Sequence, residues 1–474
     1  MTATCRSISP SKRGLFCILL NGLLLGGCAS GSQQGEALHT LSAQTGVRLE
    51  NYGEHPPQGV ADTLRILQEK PLTAEAAVQL AVLNSPRFQS LLQELGIARA
   101  DRRQGRLLPN PTLDLAIRRE GSGEQDYEYA LMEDLKGVLL YPLQRGLANA
   151  QYTQARAHLA GDLLAGIEEV KMHYFTLQGL LQTRSLMQSI LQTTEAGATL
   201  AARQRQAGNI NALEETMHQA ALQETRLGVD QLEAEIQVTR HTLGQLLGLS
   251  GDDWQIAEGL PPLPGADPSL PEVEQTALSQ RPDLEAARQA VQIAGQSLRL
   301  ARFSILPSLR AGVNVKREEE RRTLGPALEL EIPLFDQGQA TRPRARAQQA
   351  RSRLQVRALE EETRAQVRAH FTRMSLARRT TQHYRDTLIP LRAQAVEEAQ
   401  KHYNYMLLGV YQLLQVRHEE VAARKQYFSA LADYWIARAQ LERAVGGPLS
   451  PGEERPPVEE QEPPPPAPLH PHHH

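Results

Sequence analysis

Two periodicities alternate along this chain. Leu163, Ile167, Val170, Tyr174, Leu177 and Leu181 follow one another at spacings of four and three, the seam of a helix laid against another helix. Leu222, Val229, Ile236 and Leu243 recur every seven residues, and so do Leu414, Val421, Phe428 and Trp435. No proline interrupts residues 143–207, so that stretch predicts one helix of roughly 100 Å at 1.5 Å per residue. Residues 344–405 predict a second of about the same length, and 213–249 and 411–445 predict return helices of roughly 55 Å. Between Pro109 and Pro142 the period falls to two: Leu113, Leu115 and Ile117 alternate with Asp114, Ala116 and Arg118. Leu309, Ala311, Val313 and Val315 repeat the pattern, and Leu328, Leu330 and Ile332 alternate with Glu329 and Glu331. These segments predict strands with one apolar and one polar face, joined by polar loops at 121–124 and 316–322.

The pattern is written twice. Asn84-Ser85-Pro86 returns as Gln280-Arg281-Pro282, each ahead of about twenty amphipathic residues ending at Leu107-Leu108-Pro109 and Ile305-Leu306-Pro307. Tyr141-Pro142-Leu143 pairs with Ile332-Pro333-Leu334, each followed by a glycine, Gly146 or Gly338. Ala207-Gly208-Asn209-Ile210 pairs with Leu408-Gly409-Val410-Tyr411. Each unit therefore reads as short helix, strands, very long helix, glycine turn and return helix. End-to-end stacking of the short and return helices would nearly make up the length of the long one. The expected boundaries are a leader at 1–27, an N-terminal segment at 28–70, repeats at 71–250 and 272–447, a proline-rich linker at 251–271, and a Pro/Glu/His tail at 448–474.

Composition narrows the function classes. A net charge of −3 carries no basic excess for nucleic acid, and aromatics at 4% are thin for a globular enzyme of 474 residues. The chain holds no His-Glu-x-x-His, no Gly-x-x-x-x-Gly-Lys and no Gly-x-Ser-x-Gly, so it offers no catalytic residues and no nucleotide site. At the N-terminus Arg6, Lys12 and Arg13 precede a short apolar stretch at 14–25, an export signal too short to span a bilayer. It ends in Leu25-Gly26-Gly27-Cys28, which resembles the bacterial lipobox and implies a covalent lipid on Cys28; an ordinary signal with an incidental cysteine is the other reading. Cys5, Cys17 and Cys28 all fall at or before that point, which leaves no disulfide framework. Ala29, in place of an aspartate, favours the outer membrane, and no cofactor beyond the lipid is expected.

Past the leader there is no run of eighteen apolar residues, so no helix is expected to cross a bilayer. About four amphipathic strands per chain cannot close a barrel, since such barrels start near eight, whereas three chains pooling about twelve can. The duplicated pattern, Leu107-Leu108-Pro109-Asn110-Pro111, Gly409-Val410-Tyr411-Gln412-Leu413-Leu414-Gln415, Asp433-Tyr434-Trp435 and Val445-Gly446-Gly447 together resemble the TolC family of outer-membrane efflux ducts over residues 70–447. The resemblance implies a mainly α fold with a small β part. In it a trimeric twelve-stranded β-barrel, four strands from each chain, continues into a long periplasmic α-helical barrel. It also implies a homotrimer anchored in outer-membrane lipid, working with a periplasmic adaptor (membrane fusion) protein and an inner-membrane pump of the RND type.

In that frame the hairpin tips Ala207, Gly208, Asn209 and Leu408, Gly409, Val410 meet the adaptor, with helix C-capping by glycine as the plain structural role. Glu214, Glu215, Tyr403 and Tyr405 lie close enough to the tip to contribute to a gate, or to a solvated helix face. The late segment is most similar to members paired with copper or cobalt-zinc-cadmium pumps. His470, His472, His473 and His474 could capture such ions, because neutral imidazole ligates copper and zinc; they could equally be a trimmed purification tag. Drug or organic-solvent export is the rival substrate class. A non-conducting, lipid-anchored periplasmic coiled-coil scaffold is the rival function.

Overall fold

The computed structural model describes residues 32–52, 57–68, 70–119, 125–251, 254–318 and 321–449. Cys28 and His470, His472, His473 and His474 lie outside the described residues. The chain opens with helices α1 (Ser32–Thr45), α2 (Gln58–Gln68), α3 (Ala74–Asn84) and α4 (Pro86–Gln104). The first three were not anticipated from periodicity, being too short to show it. The Thr73 side chain caps α3 by accepting from the Ala76 N–H, and Pro86 at the start of α4 forces the break at Ser85.

Strands β1 (Thr112–Arg119) and β2 (Gln125–Asp134) follow, and β2 runs straight into α5 (Leu135–Gln206). At 72 residues α5 is about 108 Å long. It begins eight residues before the expected start at Leu143 and carries Pro142 within it. The early turns are held by tertiary contacts: Lys136 Nζ donates to the Leu306 carbonyl at 2.7 Å, and Tyr141 Oη to the Arg106 carbonyl at 2.9 Å. One lost helical hydrogen bond at Pro142 is outweighed by that anchoring. The return helix α6 (Ala212–Leu247) leads to the linker, then α7 (Leu270–Gln280) and α8 (Pro282–Arg302).

In the second half β3 (Ser308–Glu318) and β4 (Arg321–Glu331) precede α9 (Thr341–His383). Here the proposed pairing of Tyr141-Pro142-Leu143 with Ile332-Pro333-Leu334 fails: Pro142 is inside a helix, whereas Pro333 sits in a connection that turns at Gly338 (φ +78°) before α9 begins. A π-helical segment, Tyr384–Leu388, joins α9 to α10 (Ile389–Asn404) in one rod of 64 residues, about 96 Å. Pro390 explains it, because its ring clashes with the carbonyl four residues back unless the turn widens. The last helix is α11 (Val410–Val445).

The four strands form one antiparallel sheet in the order β1-β2-β3-β4, so its central pair joins a strand from each repeat. Beside it, α5 packs between α4 and α8; farther down, α5 packs between α6 and α11, with α9 and α10 beyond α11. The expected stacking is present. The Asn84 side chain donates to the Leu247 and Gly248 carbonyls at 2.9 and 2.8 Å, seating the end of α6 on the α3–α4 break. Gly248 (φ +71°) and Gly446 (φ +95°) close the two return helices, and a Cβ on either would strike backbone, of Asn84 and Ser85 or of Arg281. They are 198 residues apart, so the duplication in sequence is a duplication in space.

The core lies at mid-height. Leu163, Ile167, Val170, Tyr174 and Leu177 of the seam are all buried, against Phe88, Leu92, Ile236 and Leu243. Each such leucine or isoleucine contributes about 1.5–3 kcal/mol. The linker is pinned across this level as a belt. Leu72 forms a parallel bridge with Ile256, Gln178 Nε2 donates to the Ala257 and Gly259 carbonyls at 2.9 Å, and Trp435 Nε1 donates to the Pro261 carbonyl at 2.9 Å. Asp267 accepts from Tyr434 Oη at 2.7 Å and pairs with Arg378 at 3.0 Å.

Candidate functional site

The register decides what the sheet can do. Leu113 faces Leu131, Leu115 faces Tyr129, and Leu131 in turn faces Val313. Val315 faces Leu324 and Ala311 faces Leu328, so the apolar residues of all four strands meet on one side. Most of these side chains are exposed in the single chain. The opposite side is polar and cross-linked: Asn314 Nδ2 donates to Glu128 Oε1 at 2.6 Å, and Arg310 pairs with Glu329 at 3.0 Å. Strand β3, at eleven residues, is about 37 Å long; tilted by about 45° it rises about 26 Å, close to the apolar band of an outer-membrane barrel. The outer edges of β1 and β4 have no strand partner among the described residues.

At the far end are two helix reversals. In the first, Gly208 takes the left-handed conformation (φ +75°), and the Asn209 N–H reaches back to the Gln204 carbonyl at 2.8 Å. In the second, the left-handed residue is Met406 (φ +59°), and the Leu407 N–H reaches back to the His402 carbonyl at 2.8 Å. The turns correspond with an offset of 198, which sets Met406 opposite Gly208 and Gly409 opposite Asn211. The pairing of Gly208 with Gly409 is therefore corrected: Gly409 is the N-cap of α11, at φ −74°. The left-handed position of the second turn carries Met406 and no glycine. Ala207, Gly208, Asn209, Leu408, Gly409 and Val410 do all lie at the tips. Around them Tyr405, Met406 and Leu407 are 77%, 94% and 72% exposed, and Leu213 and Met217 are exposed on α6.

Of the four expected gate residues, Glu215 pairs with Arg205 at 4.0 Å within its own hairpin, while Tyr403 and Tyr405 project from the second hairpin into solvent. Glu214 lies beside a contact between the hairpins that sequence reasoning missed. Tyr411 Oη donates to Gln204 Oε1 at 2.7 Å, and its ring stacks on His218 at 4.0 Å between centroids. Three helices, α5, α6 and α11, thus meet at one side chain. Burial first, and the Glu214 carboxylate second, hold the Tyr411 phenol above its ordinary pKa, so it remains a donor. A signal existed: stepping back three residues from Leu414 extends the α11 seam to Tyr411.

Among the described residues no group of three His, Cys, Asp or Glu could hold a metal ion, and no helix is long and apolar enough to cross a membrane. What the geometry presents is a two-faced sheet, a long helical wall and two exposed hairpin tips. Comparison with known proteins fits that arrangement. The outer membrane efflux protein family matches residues 273–447. The cobalt-zinc-cadmium resistance protein CzcC of Cupriavidus metallidurans is 22% identical over 382 residues, 79% of this chain and 90% of that one. A membrane protein from Pseudomonas aeruginosa superposes with a TM-score of 0.67 at 20% identity, covering 83% of this chain and 92% of its own. The outer membrane protein VceC from Vibrio cholerae gives 0.67 at 15%, covering 80% and 97%.

Proposed function

Because this chain belongs to the outer membrane efflux protein family, whose members are channels and not enzymes, we propose that it trimerises into the exit duct of a tripartite efflux system. The observation that carries the reading is the sheet: four strands, an exposed apolar face, and two edges that no bilayer tolerates unpaired. Three copies placed edge to edge, β4 of one against β1 of the next, make a closed wall of twelve strands, apolar outside and polar within. The same three copies bring α4 and α6 of one chain beside α9 and α10 of the next, extending the pore through a helical cylinder into the periplasm. A lipid on Cys28 anchors each copy. The hairpin tips dock a periplasmic adaptor that links the duct to an inner-membrane pump of the RND type.

For cargo, one relative that spans most of both chains is a cobalt-zinc-cadmium resistance protein, and this supports export of heavy-metal cations over drugs or solvents. Crosslinking in membranes followed by conductance in planar bilayers tests the assembly: trimers that conduct uphold it, whereas a non-conducting monomer means the anchored scaffold instead. Growth of a deletion strain on cobalt, zinc, cadmium, copper and a lipophilic dye tests the cargo, and sensitivity to the dye alone would reverse that assignment.

A further inference from the structure

Directly below the sheet the helices carry a cluster of arginines that the duct reading leaves without a task. Arg299 and Arg302, at the end of α8, line one groove with Leu139, Leu143 and Phe303. They also line the adjoining groove between α8 and α9, with Arg353. Arg342 and Arg346, in the first turns of α9, line a third hollow with Ile305 and Phe335. Arg342 Nη2 donates to the Arg302 carbonyl at 3.2 Å, which ties the grooves together. At 100° per residue Arg342, Arg346 and Arg353 fall within about 40° of one another on α9, so they share one side of the helix.

Three observations point these arginines at an anion. None of the five has a carboxylate within ion-pair distance among the described residues. Asp336, the acidic residue nearest in sequence, accepts the Gly338 N–H at 2.9 Å. The Arg342 Nε–H is buried with no acceptor, a donor waiting for a partner. The apolar side chains beside them are laid bare: Phe335 is 91% exposed, Leu139, Ile332 and Leu334 are well exposed, and Ile332 and Leu334 carry the apolar alternation of β4 past its end. An apolar rim with arginines immediately beneath it is the profile of a membrane interface, where stems lie along acyl chains and guanidinium groups reach phosphates.

We propose that Arg299, Arg302, Arg342, Arg346 and Arg353 form a basic belt for the headgroup phosphates of anionic phospholipid in the periplasmic leaflet, the acyl chains lying on the rim of Leu139, Phe303, Ile305 and Phe335. The inference rests on the sheet's apolar face being the lipid-facing wall. Charge complementarity selects an anionic lipid over a zwitterionic one, because five unpaired cations gain nothing from a headgroup that carries its own ammonium. The site lies within one chain, so each copy of a trimer holds its own.

Purified full-length protein, titrated with soluble dihexanoyl phosphatidylglycerol, should bind it and should not bind dihexanoyl phosphatidylcholine. The variant Arg299→Gln/Arg302→Gln/Arg342→Gln should lose on the order of a hundredfold in affinity, from about fivefold per cation at an anionic interface. Arg344→Gln/Arg351→Gln, on the opposite side of α9, should leave affinity unchanged. Equal binding of both lipids, or a triple variant that binds like the parent, would overturn the proposal. Displacement by equimolar inorganic phosphate would reassign the site to free phosphate, and loss of the trimer with lipid binding retained would reassign the arginines to the contact between copies. Conductance in bilayers of phosphatidylcholine alone is measured separately, so that failure of the duct and failure of the lipid site remain distinguishable.

Discussion

The duct depends on β2 pairing with β3, and at Gly312 the two strands leave no room for a Cβ. Its partner in register is Met132, and a Cβ built on Gly312 would stand 1.8 Å from the Leu131 carbonyl oxygen. In Gly312→Ala the strands must separate by about 1.2 Å to bring that contact to the 3.0 Å that real Cβ atoms keep. An N–H···O bond near 2.9 Å lengthened that far is no longer a bond. Two ladder bonds flanking the site are at risk, each worth about 1 kcal/mol net in water and several in hydrocarbon, where no water replaces them. The expected cost is therefore on the order of 2–6 kcal/mol, felt at the one pairing that joins the two repeats. Gly325→Ala on β4 is the matched control, because a Cβ there meets nothing within 4 Å. Folding of each variant into lipid vesicles across a urea series, read by protease protection of the sheet, gives the comparison. If Gly312→Ala folds at the same urea concentration as Gly325→Ala, the close approach of β2 and β3 is not what holds the sheet.

Tyr411→Phe keeps the stack on His218 but removes the hydroxyl that donates to Gln204, so single-channel conductance of the purified trimer should rise; an unchanged trace would show that the contact does not restrain the tips. Tyr405→Ala should likewise raise conductance if Tyr405 narrows the pore, and an unchanged value would remove it from the gate. Gly208→Ala should loosen the first hairpin by roughly 1 kcal/mol, purely through left-handed backbone strain since its Cβ would meet nothing, whereas Met406→Gly should be near neutral as relieved strain offsets added chain entropy. Hydrogen exchange of the two turns measures both. Burial leads in raising the phenols of Tyr174 and Tyr434 to about 12, and Asp267 adds to it at Tyr434. The folded chain therefore keeps protons that the unfolded chain releases near pH 10. This stability is intact below pH 10 and is lost as pH rises towards about 12, and thermal melts of Tyr434→Phe should show a shallower alkaline decline than the parent.

Where the determinants are local, the sequence determined this protein well. Heptad spacing placed the seam from Leu163 to Leu177, because burial on one helix face needs only neighbours three and four residues apart. Alternation gave each strand its two faces for the same reason, and the duplication legible in the sequence is matched in space by Gly248 and Gly446. What needed the tertiary structure were the features settled by distant partners. Pro142 is helical because Lys136 and Tyr141 are held by carbonyls 170 and 35 residues away. Met406 replaces the expected glycine because a Schellman turn's hydrogen bonds, and not its residue type, define it. Tyr411 meets Gln204 across 207 residues, and the arginines under the sheet gather from α8 and α9, two helices separated by the β3–β4 hairpin. Composition makes such residues available, but only packing brings them to one place.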